Sequence, residues 1–83
     1  MPTLKRFDRC RIEMYFGNHP PPHFHIITLN NERVAVTIEA LMVLAGDANT
    51  RDTAAAFRWA ALSKAALWAR WREYSEQDGE VSR

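Results

Sequence analysis

Cysteine occurs once, at Cys10. An intramolecular disulfide is excluded, and a lone thiol fits a reducing compartment. Glycine is nearly as scarce, with three residues, at Gly17, Gly46 and Gly79. Charge of either sign is in little excess: 11 basic and 10 acidic side chains leave a net +1. That balance argues against a global basic footprint for nucleic acid and against an acidic surface for cations. No apolar run approaches the roughly 20 residues of a membrane span. Met1 to Asp8 carries basic residues but no apolar core, so no signal peptide is expected. These absences predict a soluble, cytoplasmic protein with no membrane partner.

What is present is enough for one core. Apolar residues make up 47% of the 83, including three tryptophans and four phenylalanines. The chain is expected to be a single domain over 1–83. A domain of this size buries only about 60% of its unfolded surface, so stability should be modest.

All three histidines and three of the four prolines fall in Gly17-Asn18-His19-Pro20-Pro21-Pro22-His23-Phe24-His25. Prolines fix φ and donate no backbone hydrogen bond, and each disfavours helix in the residue before it. The run predicts an extended polyproline II rod of roughly 9 Å, with His19 and His23 at its ends. Phe24, Ile26 and Ile27 then mark a strand. Residues i and i+2 share a strand face, so His23 and His25 are expected side by side with Phe24 opposite.

Strands are legible around this segment. Pro2 to Asp8 is a weak candidate, anchored by Leu4 and Phe7. Arg11 to Phe16 alternates, with Arg11, Glu13 and Tyr15 on one face and Ile12, Met14 and Phe16 on the other. His23 to Leu29 follows, then Asn30-Asn31, which suits a tight hairpin turn. Glu32 to Glu39 alternates again, with Val34, Val36 and Ile38 toward the core. Leu41 to Leu44 reads as a fourth strand, with a helical turn as the alternative. From Thr50 the chain has no glycine or proline until Gly79 and is rich in alanine. Asn49 or Thr50 can cap a helix, and Asp52 suits its first turn. At about 100° per residue, Ala56, Phe57, Ala60, Ala61, Ser63, Lys64, Leu67, Trp68, Trp71 and Tyr74 share one side. The expected fold is α+β: a small antiparallel sheet of three to four strands, then one long C-terminal helix packed on one face. The β-rich part spans 1–48, the helix 49–77 and a frayed tail 78–83.

Three chemistries are open to the histidine trio. The imidazoles can be structural, holding the entry to the strand. They can bind metal, with Glu13 or Asp47 as a further ligand, although this spacing is not a standard zinc pattern and no structural metal or other cofactor is expected. Or they can form a metal-free acid–base pair, since two adjacent imidazoles cannot both charge freely and their titrations separate. Glu13 would then orient an imidazole, Arg11 would neutralise a phosphate, and Asn18 and Tyr15 would assist binding. Trp59 and Leu62 fall on the polar side of the helix, where a partner surface would explain them. That partner would be a second copy of the chain, as a homodimer, or another protein. Arg51, Arg58, Arg70 and Arg72 are scattered along the same helix and read as a solvated face. Cys10 reads as a small buried strand residue.

The run Ile12-Glu13-Met14-Tyr15, the segment Asn18 to His25, the pair Trp59-Ala60 and Trp71 together resemble a family of small bacterial proteins, domain-of-unknown-function 4160. Its hallmark is D-H-x-P-P-H-F-H after a strand, and the likeness covers essentially the whole chain. The resemblance implies one half of a two-gene module, the toxin of a toxin–antitoxin pair, with a cognate small antitoxin-like protein as partner and an RNA or protein target. Some relatives are described as transcriptional regulators. This chain has Asn18 where the family often has Asp, and Ser63 where relatives often carry a histidine.

The functional expectation is a candidate toxin acting as a histidine-dependent hydrolase or nuclease through His19, His23 and His25, supported by Glu13. The alternatives are a non-catalytic protein- or nucleic-acid-binding regulator and a histidine-based metal-binding protein.

Overall fold

The computed structural model describes residues 3–15 and 20–81, apart from the side chains of 75–81. Five strands run in chain order: β1 (Thr3–Arg6), β2 (Cys10–Glu13), β3 (His23–Thr28), β4 (Arg33–Thr37) and β5 (Val43–Gly46). Each pairs antiparallel with the next, giving a meander of spatial order β1-β2-β3-β4-β5. Two helices follow, α1 (Thr50–Leu62) and α2 (Lys64–Val81). The α+β class holds, with one strand more than the sequence predicts and two helices in place of one.

Alternation sets the two faces of the sheet. Ile12 lies opposite Ile26 and Phe24 opposite Val36 in the strand register. These four, with Met14 and Ile38, are fully buried. From the helices Ala56, Ala60, Leu67 and Tyr74 complete the same core. Ala56 and Ala60 stand one turn apart, and their small side chains let α1 lie close over β2 and β3. Cys10 is buried as expected.

The β3–β4 turn also behaves as the two asparagines suggest. Asn31 takes φ 65, and its amide donates to the Thr28 carbonyl at 2.9 Å. β5 begins two residues later than expected. All four of its residues are exposed, and as the last strand of the sheet it is paired on one side only.

At the start of α1 the Asn49 side chain accepts from the Arg51 amide at 2.8 Å. The break between the helices falls at Ser63, with φ −127 and ψ 30. Its amide turns back to the Ala60 carbonyl, and its own carbonyl accepts from Leu67, so one serine closes α1 and opens α2. Serine favours such boundaries because it competes for backbone hydrogen bonds. The apolar stripe continues in nearly the same phase on both sides, which hides the break from a periodicity reading. Lys64 Nζ donates to the Glu39 carbonyl at 2.7 Å, pinning the joint to the β4–β5 loop. α2 extends to Val81, past the expected end at 77.

Trp59 also lies elsewhere than expected. Its ring meets Phe7 edge-on, with centroids 6.3 Å apart, and it packs against the core. Phe7, just beyond β1, wraps under the side of α1 that helix periodicity assigns to solvent. Leu62 does stay exposed. No helix among the described residues is long and apolar enough to cross a membrane.

Gly46 closes β5 at φ +90, and a Cβ there would lie 2.0 Å from the Arg33 carbonyl oxygen. Gly46→Ala is therefore expected to cost about 2 kcal/mol or more. The cost should appear as a lower urea midpoint at unchanged slope. A wild-type midpoint would contradict this account of the β4–β5 edge.

Candidate functional site

β3 sends Phe24 and Ile26 into the core and turns His23 and His25 to the other face. Their ring centroids lie 5.2 Å apart at an interplanar angle of 76°. The side-by-side placement that alternation predicts is present.

The approach to His23 differs from the expected rod. Pro20 and Pro21 form a bend with a cis peptide bond between them. The Pro21 carbonyl oxygen then lies 2.8 Å from His23 Nδ1. A carbonyl oxygen only accepts, so Nδ1 carries the proton and Nε2 is left as the exchanging nitrogen. Trp71, reaching over from α2, sets its ring 5.7 Å from that of His23.

His25 occupies the middle of the face. The Tyr15 ring stands 5.2 Å away. Its Nδ1 is buried and has no hydrogen-bond partner among the described residues. A charged ring would hold its Nδ1–H at this dry position with no acceptor for it. Burial, followed by the nearby His23 and Arg33, pulls its pKa below the ordinary 6.5, against a weaker upward pull from Glu13. A depressed imidazole pKa means the neutral ring prevails near pH 7, which suits a proton acceptor.

Glu13 lies directly across from His25 in the β2–β3 register and is only 5% exposed. Burial opposes its ionisation. Hydrogen bonds from Tyr15 and Arg11, with the charges of Arg11 and Arg33, outweigh burial and hold the carboxyl below its ordinary 4.5. One carboxylate oxygen accepts from the Tyr15 hydroxyl, and the other takes Arg11 Nε at 2.5 Å. The carboxylate thus hydrogen-bonds to Tyr15 and Arg11, with no bond to an imidazole among the described residues, and Arg11 gives its Nε to Glu13. A buried carboxylate recruits the nearest strong donors because an unpaired charge there is too costly.

Arg33 is the cation that the sequence reading missed. It reaches across from β4 to donate to the Tyr15 hydroxyl at 3.3 Å. With His25, Ala35, Ala45 and Gly46 it lines a shallow depression of about 230 Å³. The alternation of β4 puts Arg33 on the face opposite the core, and the hairpin register was the signal that would have carried it to the histidines. Trp71 had no such signal, because the path of α2 sets its contact with His23.

His19 and Asn18 lie outside the described residues. Among the described residues no group of three or more histidine, cysteine, aspartate or glutamate side chains is placed to hold a metal ion. The site thus consists of two adjacent imidazoles with unlike surroundings, a buried and paired carboxylate, a tyrosine bridging it to Arg33, and a tryptophan wall.

A family model described as Domain of unknown function (DUF4160) matches residues 10–72, a span that takes in every strand from β2 onward, α1 and the first half of α2. No curated protein and no solved structure shows a significant match.

Glu13 and His25 give the same sign of pH dependence. Glu13 has a depressed folded pKa, so its contribution to stability is complete above the unfolded value and is lost as pH falls through the folded one. His25 is also depressed, so below pH 6.5 the unfolded chain takes up the proton first and stability drops. In an NMR titration the His25 ring should have its midpoint below 6.5, and Glu13→Gln should lower it further, since Glu13 is what pulls it upward. A midpoint that rises or stays fixed in Glu13→Gln would refute this coupling.

Proposed function

The chain belongs to the family described as Domain of unknown function (DUF4160), and from its own side chains we propose that it is the toxin half of a two-protein toxin–antitoxin module, acting as a metal-free, histidine-dependent nuclease on RNA. The observation that carries this reading is the His23–His25 pair. The rings share one face at 5.2 Å, one buried at a dry nitrogen and the other tied by Nδ1 to a carbonyl. Environments this different separate two otherwise identical groups into a base and an acid.

In the step we assign, neutral His25 takes the proton of a ribose 2′-hydroxyl through Nε2. The 2′-oxygen bonds to phosphorus while the bond from phosphorus to the 5′-oxygen breaks. Protonated His23 gives its Nε2 proton to that leaving oxygen. The products are a cyclic phosphate and a free 5′-hydroxyl, and no external reactant is consumed. Exchange with water returns both rings to their starting states. Arg33 draws the phosphate to the depression beside His25. Glu13 keeps Tyr15 and Arg11 in place and acts as a positioning residue.

The partner is a small antitoxin-like protein. We assign it to the β5 edge, where Met42, Val43 and Leu44 are exposed next to the Ala45–Gly46 rim of the depression. An unpaired apolar edge strand is a ready template for an added strand, and a strand there would cover the approach to His25.

Expression without the partner should slow growth and fragment cellular RNA, and purified protein should cleave RNA in the presence of a chelator. His23→Ala or His25→Ala should reduce cleavage by about 10²–10⁴-fold and restore growth, with the fold retained by circular dichroism. A folded protein carrying both substitutions that still inhibits growth as wild type does would overturn the catalytic reading in favour of a binding module.

A further inference from the structure

A second feature lies away from the histidines. The turn after β1 and the outer side of α1 enclose a groove of about 520 Å³ lined by Lys5, Arg6, Phe7, Arg9, Arg51 and Arg58, with Asp8 and Asp52. Five cationic side chains against two carboxylates give this one groove a net +3. The chain as a whole carries +1, so everything outside the groove sums to −2. The near-neutral composition thus hides a strong separation of charge.

Arg9 is paired with Asp52 at 3.4 Å. Lys5, Arg6, Arg51 and Arg58 make no ion pair among the described residues. The groove continues past Arg9 and Arg51 to Leu29 and Asn30 at the β3–β4 turn. It therefore lies at the Cys10–Thr28 end of the β2–β3 pair, and His23 is at the other end of β3.

We propose that this groove binds the sugar–phosphate backbone of a single-stranded nucleic acid. Four of the five cations are arginines, whose planar forks match phosphate oxygens. Phe7 presents a partly buried ring among them, held edge-on by Trp59. Cations interleaved with a fixed aromatic ring are the arrangement that tracks an unpaired strand, with phosphates on the charges and a base on the ring. An acidic peptide would use the charges but not the ring.

The inference stands apart from the catalytic reading, and its test removes catalysis. Protein carrying both His23→Ala and His25→Ala is titrated into fluorescently labelled 12-mers of oligouridylate and oligodeoxythymidylate, with oligoglutamate as the competing class. Both oligonucleotides should bind. The slope of log affinity against log salt should be about −3, given four free cations at about −0.7 each on a single strand. Arg51→Gln with Arg58→Gln should weaken binding at least tenfold and make the slope shallower by about 1.4. Lys5→Gln with Arg6→Gln should do the same from the other wall. Phe7→Leu should weaken binding at unchanged slope. Absence of binding, a slope indifferent to both charge pairs, or equal affinity for oligoglutamate would overturn the proposal. Loss of growth inhibition in His23→Ala with binding intact would leave it standing.

Discussion

Everything in this protein hangs on the alternation of one strand. β3 pairs with both β2 and β4, and its residues 23 to 26 read histidine, phenylalanine, histidine, isoleucine. Phe24 and Ile26 reach zero exposure in the core. A one-residue slip would bury both imidazoles and expose both apolar side chains, so the energy that sets the register also sets the site. The histidine face is held in place by the hydrophobic effect acting on the opposite face.

On that face, burial has opposite consequences for the two kinds of ionisable group. The Glu13 carboxylate is almost wholly buried and yet stays ionised, because Arg11 and the Tyr15 hydroxyl supply the donors that water would have supplied. The desolvation cost is met only because these bonds are in place. His25 has no such partner at Nδ1, so burial outweighs the pull of Glu13 and favours the neutral ring. Tyr15 links the two through its bond to Glu13 and its ring contact with His25. Arg33 adds a positive charge at the rim, which discourages a proton on His25 and attracts a negative ligand.

Charge is partitioned with similar economy. The chain is nearly neutral, but five of its eleven cations gather on the α1 side of the sheet at one end, while the histidines occupy the opposite face toward the other end. The helices cover the core face and contribute Trp71 to the histidine site, so α2 belongs to both halves of the molecule. The serine joint between α1 and α2, pinned by Lys64 to the β4–β5 loop, sets the angle at which that tryptophan arrives.

The sequence by itself determined the local features. The period-2 patterns of β2, β3 and β4, the Asn30-Asn31 turn, the Asn49 cap and the shared face of His23 and His25 all follow from side-chain alternation or capping over a few residues. They need no knowledge of what packs on what. Only the tertiary structure decided the rest. Ser63 divides the helix although the apolar stripe runs on through it. Trp59 is drawn inward by Phe7, some fifty residues earlier in the chain. Arg11 goes to Glu13 and Arg33 takes the place beside His25, because strand register and burial choose partners that spacing leaves open. The basic groove had no signature at all in the chain, since its charges come from β1, the turn after it and α1. Long-range juxtaposition is fixed by how the layers stack, and a near-neutral composition averages it away.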